Sequence, residues 1–217
     1  MASIYDLKPR FQALLRPICA KLAKSGITAN QVTGAAMLLS FAHGAWIWLS
    51  DASGISLALL PLTLFLRMAL NAIDGMLARE FDMKSRFGAL FNELSDVLSD
   101  AALYLPFMLV TAPGLVAAVV ILAVIVEMAG AIAPMIGSER QYQGPFGKSD
   151  RAAFFGLGGF LLGIGVLPVA WFYWALWIAL ALSLWTISNR VKGGLAGGIA
   201  CTSRRQSCTR LEQSSRF

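Results

Sequence analysis

The sequence predicts an all-α integral membrane protein with six transmembrane helices and an N-terminal amphipathic helix in the membrane interface. Hydrophobic residues make up 57% of the 217 residues and charged residues only 14%, well below the about 25% charged residues of typical soluble domains. Long apolar runs recur, each near the ~20 residues that a helix needs to cross a bilayer. Apart from Arg67, which lies inside the second run, the basic residues lie before the first run, in alternate connections and after the last run. This composition excludes a disordered chain and a soluble single-core domain.

Residues 1–30 predict a juxtamembrane amphipathic helix and not a signal peptide, because they lack a continuous apolar core. Apolar residues recur there at helical spacing between lysines and arginines. This pattern is typical of a helix that lies in the cytoplasmic interface of a membrane. A solvated helix packed on a protein partner is the alternative interpretation.

Six apolar runs follow and predict the transmembrane helices. They cover residues 32–50, 55–73, 90–111, 115–136, 152–167 and 169–187. The fifth run is short and rich in glycine, which allows close helix packing. We therefore expect one membrane domain over residues 1–192. Residues 193–217 lose the apolar periodicity and predict a flexible basic tail.

The positions of the basic residues predict the orientation in the membrane. Lysines and arginines lie before the first run, between the second and third, between the fourth and fifth, and after the sixth, whereas the other three connections carry none. By the positive-inside rule, both termini and the connections that carry basic residues face the cytoplasm, and the membrane is a bacterial-type inner or plasma membrane. The net charge of +6 suits a lipid bilayer with anionic headgroups, so we expect no nucleic-acid partner.

Polar side chains concentrate at the cytoplasmic end of the second run and in the first half of the third. Charges inside a span cost about 2.5–3.5 kcal/mol each on insertion scales, so each requires a role. Asn71 and Asp74 share one helix face, and Gly88, Asn92 and Asp96 follow one another at a spacing of four. Two antiparallel helices would direct these oxygens to a common point that suits a hard divalent cation. A stripe of interhelical hydrogen bonds is the structural alternative.

These residues resemble the motif of the CDP-alcohol phosphatidyltransferase family, D-x2-D-G-x2-A-R-x8-G-x3-D-x3-D. The matching residues, with all spacings kept, are Asp74, Gly75, Ala78, Arg79, Gly88 and Asp96. The first and third aspartates of the motif are replaced here by Asn71 and Asn92. Residues 27–33 also resemble the family's opening of the first transmembrane helix, and the resemblance extends over roughly residues 10–190.

The resemblance implies a metal-dependent enzyme of phospholipid biosynthesis and a homodimer. Such an enzyme transfers a substituted phosphate group from a CDP-linked lipid, here CDP-diacylglycerol, to a small alcohol and releases CMP. One or two Mg²⁺ or Mn²⁺ ions are implied. Their implied ligands are Asn71, Asp74, Asn92 and Asp96. Asp96 is also the implied base for the acceptor hydroxyl.

The resemblance further implies where the substrates bind. The implied nucleotide contacts are Asn30, Thr33, Gly75, Ala78, Arg79 and Gly88, with the small residues leaving room for cytidine and Arg79 donating to phosphate oxygens. Lys148 and Arg151 open the fifth run, where family members hold an anionic acceptor group. Positive-inside anchoring is the alternative for these two residues.

Other functions and residues follow from the same pattern. The main alternative function is that of a weakened or inactive relative that binds nucleotide or lipid. The two asparagines in the motif suggest it. A transporter is disfavoured because the polar cluster lies at the cytoplasmic ends of the runs and no inverted repeat is visible. Arg67 is expected to pair with a carboxylate or a phosphate, Glu127 to act as an interhelical or supporting partner, and His43 to hydrogen-bond between helices.

Overall fold

The computed structural model describes residues 4–214 and the side chains of residues 11–197. Over that part of the chain the fold is helical, without strands. The helices are α1 (Ile4–Lys24), α2 (Ala29–Leu49), α3 (Gly54–Ala58), α4 (Leu60–Glu80), α5 (Arg86–Tyr104), α6 (Pro113–Ala131), α7 (Lys148–Gly163) and α8 (Val169–Ser214). Short 3₁₀ helices, Leu105–Leu109 and Ala133–Ile136, follow α5 and α6. The predicted all-α class is confirmed.

Four helical segments of the described chain are long and apolar enough to cross a membrane. They are Ala29–Leu49, Gly54–Glu80, Pro113–Ile136 and Val169–Gly197. Large apolar side chains on them, such as Leu49 at 85% and Trp171 at 71% exposure, face outward, as in a lipid-embedded protein. The chain is therefore an integral membrane protein.

The other two predicted spans are helices of a different character. α5 carries several charged residues within its 19-residue length, and α7 has only 16 residues. Neither is among the four segments that meet the length and hydropathy required to span. A total of six transmembrane helices therefore stays a prediction.

The chain divides into two compact units, of which the first comprises Met1–Thr111 and Phe155–Val169. In this unit α2 packs against both α4 and α5, and α1 packs against α4. Leu15 and Cys19 of α1 are buried in one apolar cluster with Ile73 and Met76 of α4. Leu14, on another face of α1, is 72% exposed. The helix is thus two-sided, while its location in the membrane interface stays a prediction.

Two local features of α2 determine how its neighbours approach it. Thr28 and Gln31 form a capping box, in which each side chain bonds the backbone N–H of the other residue, and this fixes the first turn of α2. Farther along, a Cβ atom on Gly44 would overlap the carbonyl oxygen of Ala102. Glycine at this position therefore allows α5 to lie close against α2.

His43 links the middle of α2 to the following helices, as the sequence predicts. Its Nδ1 accepts a hydrogen bond from the Thr63 hydroxyl at 2.7 Å, and its Nε2 donates to the backbone oxygen of Ser56 at 3.0 Å. Both ring nitrogens are used, so the residue has a structural role.

The second unit comprises Ala112–Phe154 and Ala170–Phe217. Its long connection after α6 is attached to α8, where the Thr186 hydroxyl accepts a hydrogen bond from the backbone N–H of Phe146 at 3.0 Å. α8 runs to Ser214 and so extends through most of the segment that the sequence assigns to a flexible tail. The division of the chain at residue 192 stays a prediction.

Candidate active site

Thr33 and Asp74 connect α2 to α4 near the cytoplasmic end predicted for the site. The Thr33 hydroxyl donates to Asp74 Oδ2 at 2.7 Å. Both side chains are buried, with exposures of 5% and 6%. A buried carboxylate requires such a donor, because desolvation without one is costly. Thr33, a predicted nucleotide contact, thus hydrogen-bonds to Asp74, a predicted metal ligand.

Asn71 and Asp96 connect α4 to α5. The side-chain amide of Asn71 donates to Asp96 Oδ1 at 3.0 Å. The two residues occupy the first and last acidic positions of the motif, so the structure brings the two ends of the motif together. Asp74 lies three residues after Asn71 and shares its helix face.

Arg67 is the third member of this polar connection. Its Nη1 donates to Asp100 Oδ1, and its Nη2 donates to the backbone oxygen of Asp96 at 2.9 Å and lies 3.4 Å from Asp96 Oδ1. The sequence predicts that Arg67 pairs with a carboxylate or a phosphate, and the structure shows carboxylate partners. The motif does not include Arg67 or Asp100; the signal for both is a charge inside a span, one helical turn beyond a motif residue.

The motif glycines lie beside polar side chains. An added Cβ on Gly75 would lie 3.2 Å from Arg79 Nη2, so the guanidinium of Arg79 lies across this glycine. An added Cβ on Gly88 would lie 2.6 Å from Asn30 Oδ1. Gly75 is thus placed with Arg79, and Gly88 with Asn30. Four of the six predicted nucleotide contacts are therefore arranged in two pairs.

Two other predicted site residues have less specific surroundings. Asn92 is half-buried on α5, one turn before Asp96, and its backbone oxygen accepts the Ser95 hydroxyl. Ala78 packs against the apolar cluster shared by α1 and α4. The proposed roles of Asn92 and Ala78 stay predictions.

The donor set tests whether a divalent cation fits this site. Among the described residues, no group of three or more histidine, cysteine, aspartate or glutamate side chains is placed to hold a metal. The candidate ligands are the carboxylates of Asp74 and Asp96 together with the amide oxygens of Asn71 and Asn92. Mg²⁺ commonly binds to one or two carboxylates and takes its other ligands from substrate phosphates and water. The residues therefore fit a hard cation whose coordination is completed by a diphosphate.

A separate charged cluster lies within the second unit and is centred on Glu127 of α6. Its carboxylate pairs with Arg151 at 2.9 Å, Arg190 at 3.5 Å and Arg140 at 3.9 Å. Arg151 is only 1% exposed and Arg190 only 3%. The sequence identifies Glu127 and Arg151 separately but does not indicate that they pair. Lys148, at the start of α7, is half-buried.

The sequence matches one family profile and two curated proteins. The profile described as CDP-alcohol phosphatidyltransferase matches residues 26–185. The Escherichia coli (strain K12) protein named Inner membrane protein YnbA is 46% identical over 198 residues, which cover 89% of this chain and 96% of that protein. An uncharacterized protein of Aquifex aeolicus (strain VF5) is 33% identical over 101 residues, covering 46% of this chain and 47% of that protein.

Solved structures share the fold. Phosphatidylinositol phosphate synthase of Mycobacterium tuberculosis, in a crystal structure with CDP-DAG bound, has a TM-score of 0.72 at 19% identity, covering 82% of this chain and 92% of that one. The same synthase in complex with manganese and citrate has a TM-score of 0.71 at 19% identity, with coverages of 82% and 88%. At this identity the likeness concerns the fold.

Proposed function

Because the chain belongs to the CDP-alcohol phosphatidyltransferase family, we propose that it transfers a phosphatidyl group from CDP-diacylglycerol to a small alcohol and releases CMP. The observation that carries this proposal is the polar connection between α4 and α5, in which Asn71 contacts Asp96. It joins the beginning and the end of the family motif. The crystallised neighbour of the same fold binds CDP-DAG, which supports this donor.

Asp96 is the proposed base. A divalent cation, Mg²⁺ or Mn²⁺, would be held by Asp74 and Asp96 with Asn71 and Asn92, and when bound it supplies positive charge to the donor diphosphate. Asp96 takes the proton of the acceptor hydroxyl as the oxygen attacks the phosphorus. The donor hydrogen bond from Asn71 and the contact with Arg67 hold its carboxylate in place.

The nucleotide contacts complete the donor site in this proposal. Arg79 is exposed and its guanidinium lies across Gly75, where it donates to phosphate oxygens of the incoming donor. Thr33 holds Asp74 in place by a hydrogen bond. Asn30, Ala78 and Gly88 border the cytidine.

The acceptor is proposed to carry an anionic group. In the second unit three arginines pair with Glu127, so arginine side chains are concentrated there. Arginine clusters of this kind bind phosphates and carboxylates. Arg151 and Lys148 are the proposed contacts of the anionic group, and an alcohol phosphate is the acceptor that this charge favours.

A non-catalytic relative that binds a CDP-lipid is the second candidate function. It is favoured by the asparagines at positions 71 and 92 and by the contacts that Asp96 makes with Asn71 and Arg67. Both contacts are made by Asp96 Oδ1, so this oxygen already has partners and is less available to accept a proton from an acceptor.

Release of CMP separates the two functions. The purified protein is incubated in detergent with CDP-diacylglycerol, Mg²⁺ or Mn²⁺, and a panel of alcohols that includes phosphorylated and unphosphorylated members. We expect metal-dependent CMP release that requires an acceptor and is faster with an alcohol phosphate. Binding of the CDP-lipid without any CMP release across the panel would establish the non-catalytic function instead.

The location and assembly of the protein are part of the same proposal. We infer that the chain resides in a bacterial-type inner membrane, as its Escherichia coli relative does by name, with both termini and the site facing the cytoplasm. The homodimer stays a prediction.

A further inference from the structure

We propose that Arg67 takes the place of a second divalent cation, so that the active site binds one ion only. This inference rests on the proposed function, because it concerns the metal that would bind there. The residues that carry it are Arg67, Asn71, Asp96 and Asp100, which join α4 to α5.

The guanidinium of Arg67 is fixed at the carboxylate of the proposed base. Arg67 is 4% exposed, and its contacts reach Asp100 Oδ1 and both the carboxylate and the backbone oxygen of Asp96. The bond to the backbone oxygen ties the guanidinium to α5 as well as to α4. Arginine keeps its proton in proteins. A permanent positive charge therefore lies beside Asp96.

Arg67 supplies positive charge at the place where a second cation would contact Asp96. Its guanidinium contacts Asp100 Oδ1 and lies 3.4 Å from Asp96 Oδ1. A second cation at these carboxylates would lie close to a guanidinium that is only 4% exposed, and like charges repel strongly in a buried environment.

The asparagine at position 71 is consistent with the same arrangement. Its amide nitrogen contacts Asp96 Oδ1 directly at 3.0 Å. Two carboxylates at this separation would repel each other unless a cation lay between them. Asn71 and Arg67 both donate toward Asp96. Side-chain donors therefore connect α4 and α5 here without a bridging cation.

Manganese titrations test the proposal. Protein in detergent is saturated with CDP-diacylglycerol and Mn²⁺ without acceptor, and electron paramagnetic resonance distinguishes an isolated Mn²⁺ from a spin-coupled pair. We expect one isolated ion per chain in the wild type and in Asn71→Asp. A spin-coupled pair in the wild type, or no bound ion, would overturn the proposal.

Variants in the Asn71→Asp background test Arg67 itself. Adding Arg67→Gln is expected to produce a spin-coupled pair, whereas adding Arg67→Lys, which keeps the charge, is expected to leave one ion. Arg16→Gln in the same background removes an exposed arginine that pairs with Glu80 and is the matched control, with one ion expected. A single ion in the Arg67→Gln variant would show that Arg67 does not exclude the second cation.

A triple variant covers the case in which Arg67→Gln leaves Asp100 unpaired and the protein unfolds. Asn71→Asp with Arg67→Gln and Asp100→Asn neutralises both partners of the buried pair, which is tolerated better than removing one. Its formal site charge equals that of Asn71→Asp alone. We expect two ions with the triple variant and one with the single variant; equal numbers would overturn the proposal.

These measurements do not depend on turnover. One bound ion without CMP release would refute the proposed transferase activity and leave the inference about Arg67 standing. CMP release with a spin-coupled pair in the wild type would do the reverse.

Discussion

Asn71 donates a hydrogen bond of 3.0 Å to Asp96 across α4 and α5. An aspartate at position 71 would place two carboxylates at this distance, and such a pair is stable only with a cation or a proton between them. The amide removes the repulsion and supplies a donor. In this chain, therefore, the two helices are joined at the site by direct side-chain contacts.

Asp96→Asn is expected to abolish transfer while the protein stays folded and still binds the CDP-lipid. The substitution keeps the shape of the side chain but removes the group that accepts the proton. CMP release and binding of CDP-diacylglycerol are measured on the same preparation. Retention of more than about a tenth of the wild-type rate would reject Asp96 as the base.

Thr33→Val is expected to lower kcat/KM for CDP-diacylglycerol by about tenfold. The change removes the donor to Asp74 Oδ2, and a hydrogen bond to a charged group contributes about 1.5–3 kcal/mol. Thr33→Ser keeps the hydroxyl and is the control, with activity near the wild-type level. Equal activity of the valine and serine variants would show that this bond does not position Asp74.

Gly88→Ala is expected to raise KM for the CDP-lipid by less than about tenfold, the range for one neutral polar contact. The new Cβ would lie 2.6 Å from Asn30 Oδ1 and 2.9 Å from Ser85 Oγ. Because Ser85 Oγ caps α5 by accepting the Gly88 N–H, the thermal unfolding midpoint should also fall slightly. Gly34→Ala, where the Cβ meets only Phe91 Cζ at 4.0 Å, is the matched control. A similar KM for both variants would exclude Asn30 from donor binding.

Glu127→Gln is expected to destabilise the protein by about 3 kcal/mol, because its carboxylate pairs with the buried Arg151 and Arg190 and removing one partner of a buried ion pair is costly. Thermal unfolding in detergent measures the change. Glu139→Gln, at an exposed position, is the control and should stay within about 0.5 kcal/mol of the wild type. Addition of an alcohol phosphate should not lower the thermal unfolding midpoint of either variant. Equal midpoints for the two variants would contradict the assigned role of Glu127.

Single cysteines test the predicted orientation. Lys84 lies between α4 and α5, and Ala52 lies between α2 and α3. In a background with Cys201→Ser and Cys208→Ser, where Cys19 is fully buried, an impermeant thiol reagent should label Ala52→Cys on intact cells. Lys84→Cys should react only after lysis. The opposite pattern would reverse the topology, because the positive-inside rule places the Lys84 loop in the cytoplasm.

The helical class and the family could be predicted from the sequence because both depend on local information. A run of ~20 apolar residues is helical in a membrane whatever surrounds it, since every backbone polar group must be satisfied within the segment. The spacing of the motif residues can likewise be recognised in the sequence without knowledge of the fold. The number of spans stays a prediction, because α5 combines a helical pattern with charged residues and is not among the four segments long and apolar enough to span.

The polar site was predicted in part. The spacing of Asn71 and Asp74 on one helix, and of Asn92 and Asp96 on another, identified the faces that carry the motif. Spacing within one helix does not show which atoms meet across two helices, so the direct bond between Asn71 and Asp96 was not predicted. The pairing of Arg67 with Asp100 could be anticipated only as pairing with some carboxylate.

The sequence by itself determined an all-α membrane protein of this family, the positions of the candidate site residues and the expectation that His43 would bond between helices. Only the tertiary structure decided that Thr33 hydrogen-bonds to Asp74 and that Asp96 contacts both Asn71 and Arg67. It also decided that Glu127 pairs with three arginines. Helix periodicity is a property of neighbours three or four residues apart. Arg151 lies 24 residues from Glu127 in sequence, and Thr33 lies 41 residues from Asp74. Contacts at such separations depend on how the helices pack. Two buried opposite charges can pair only when that packing brings them together.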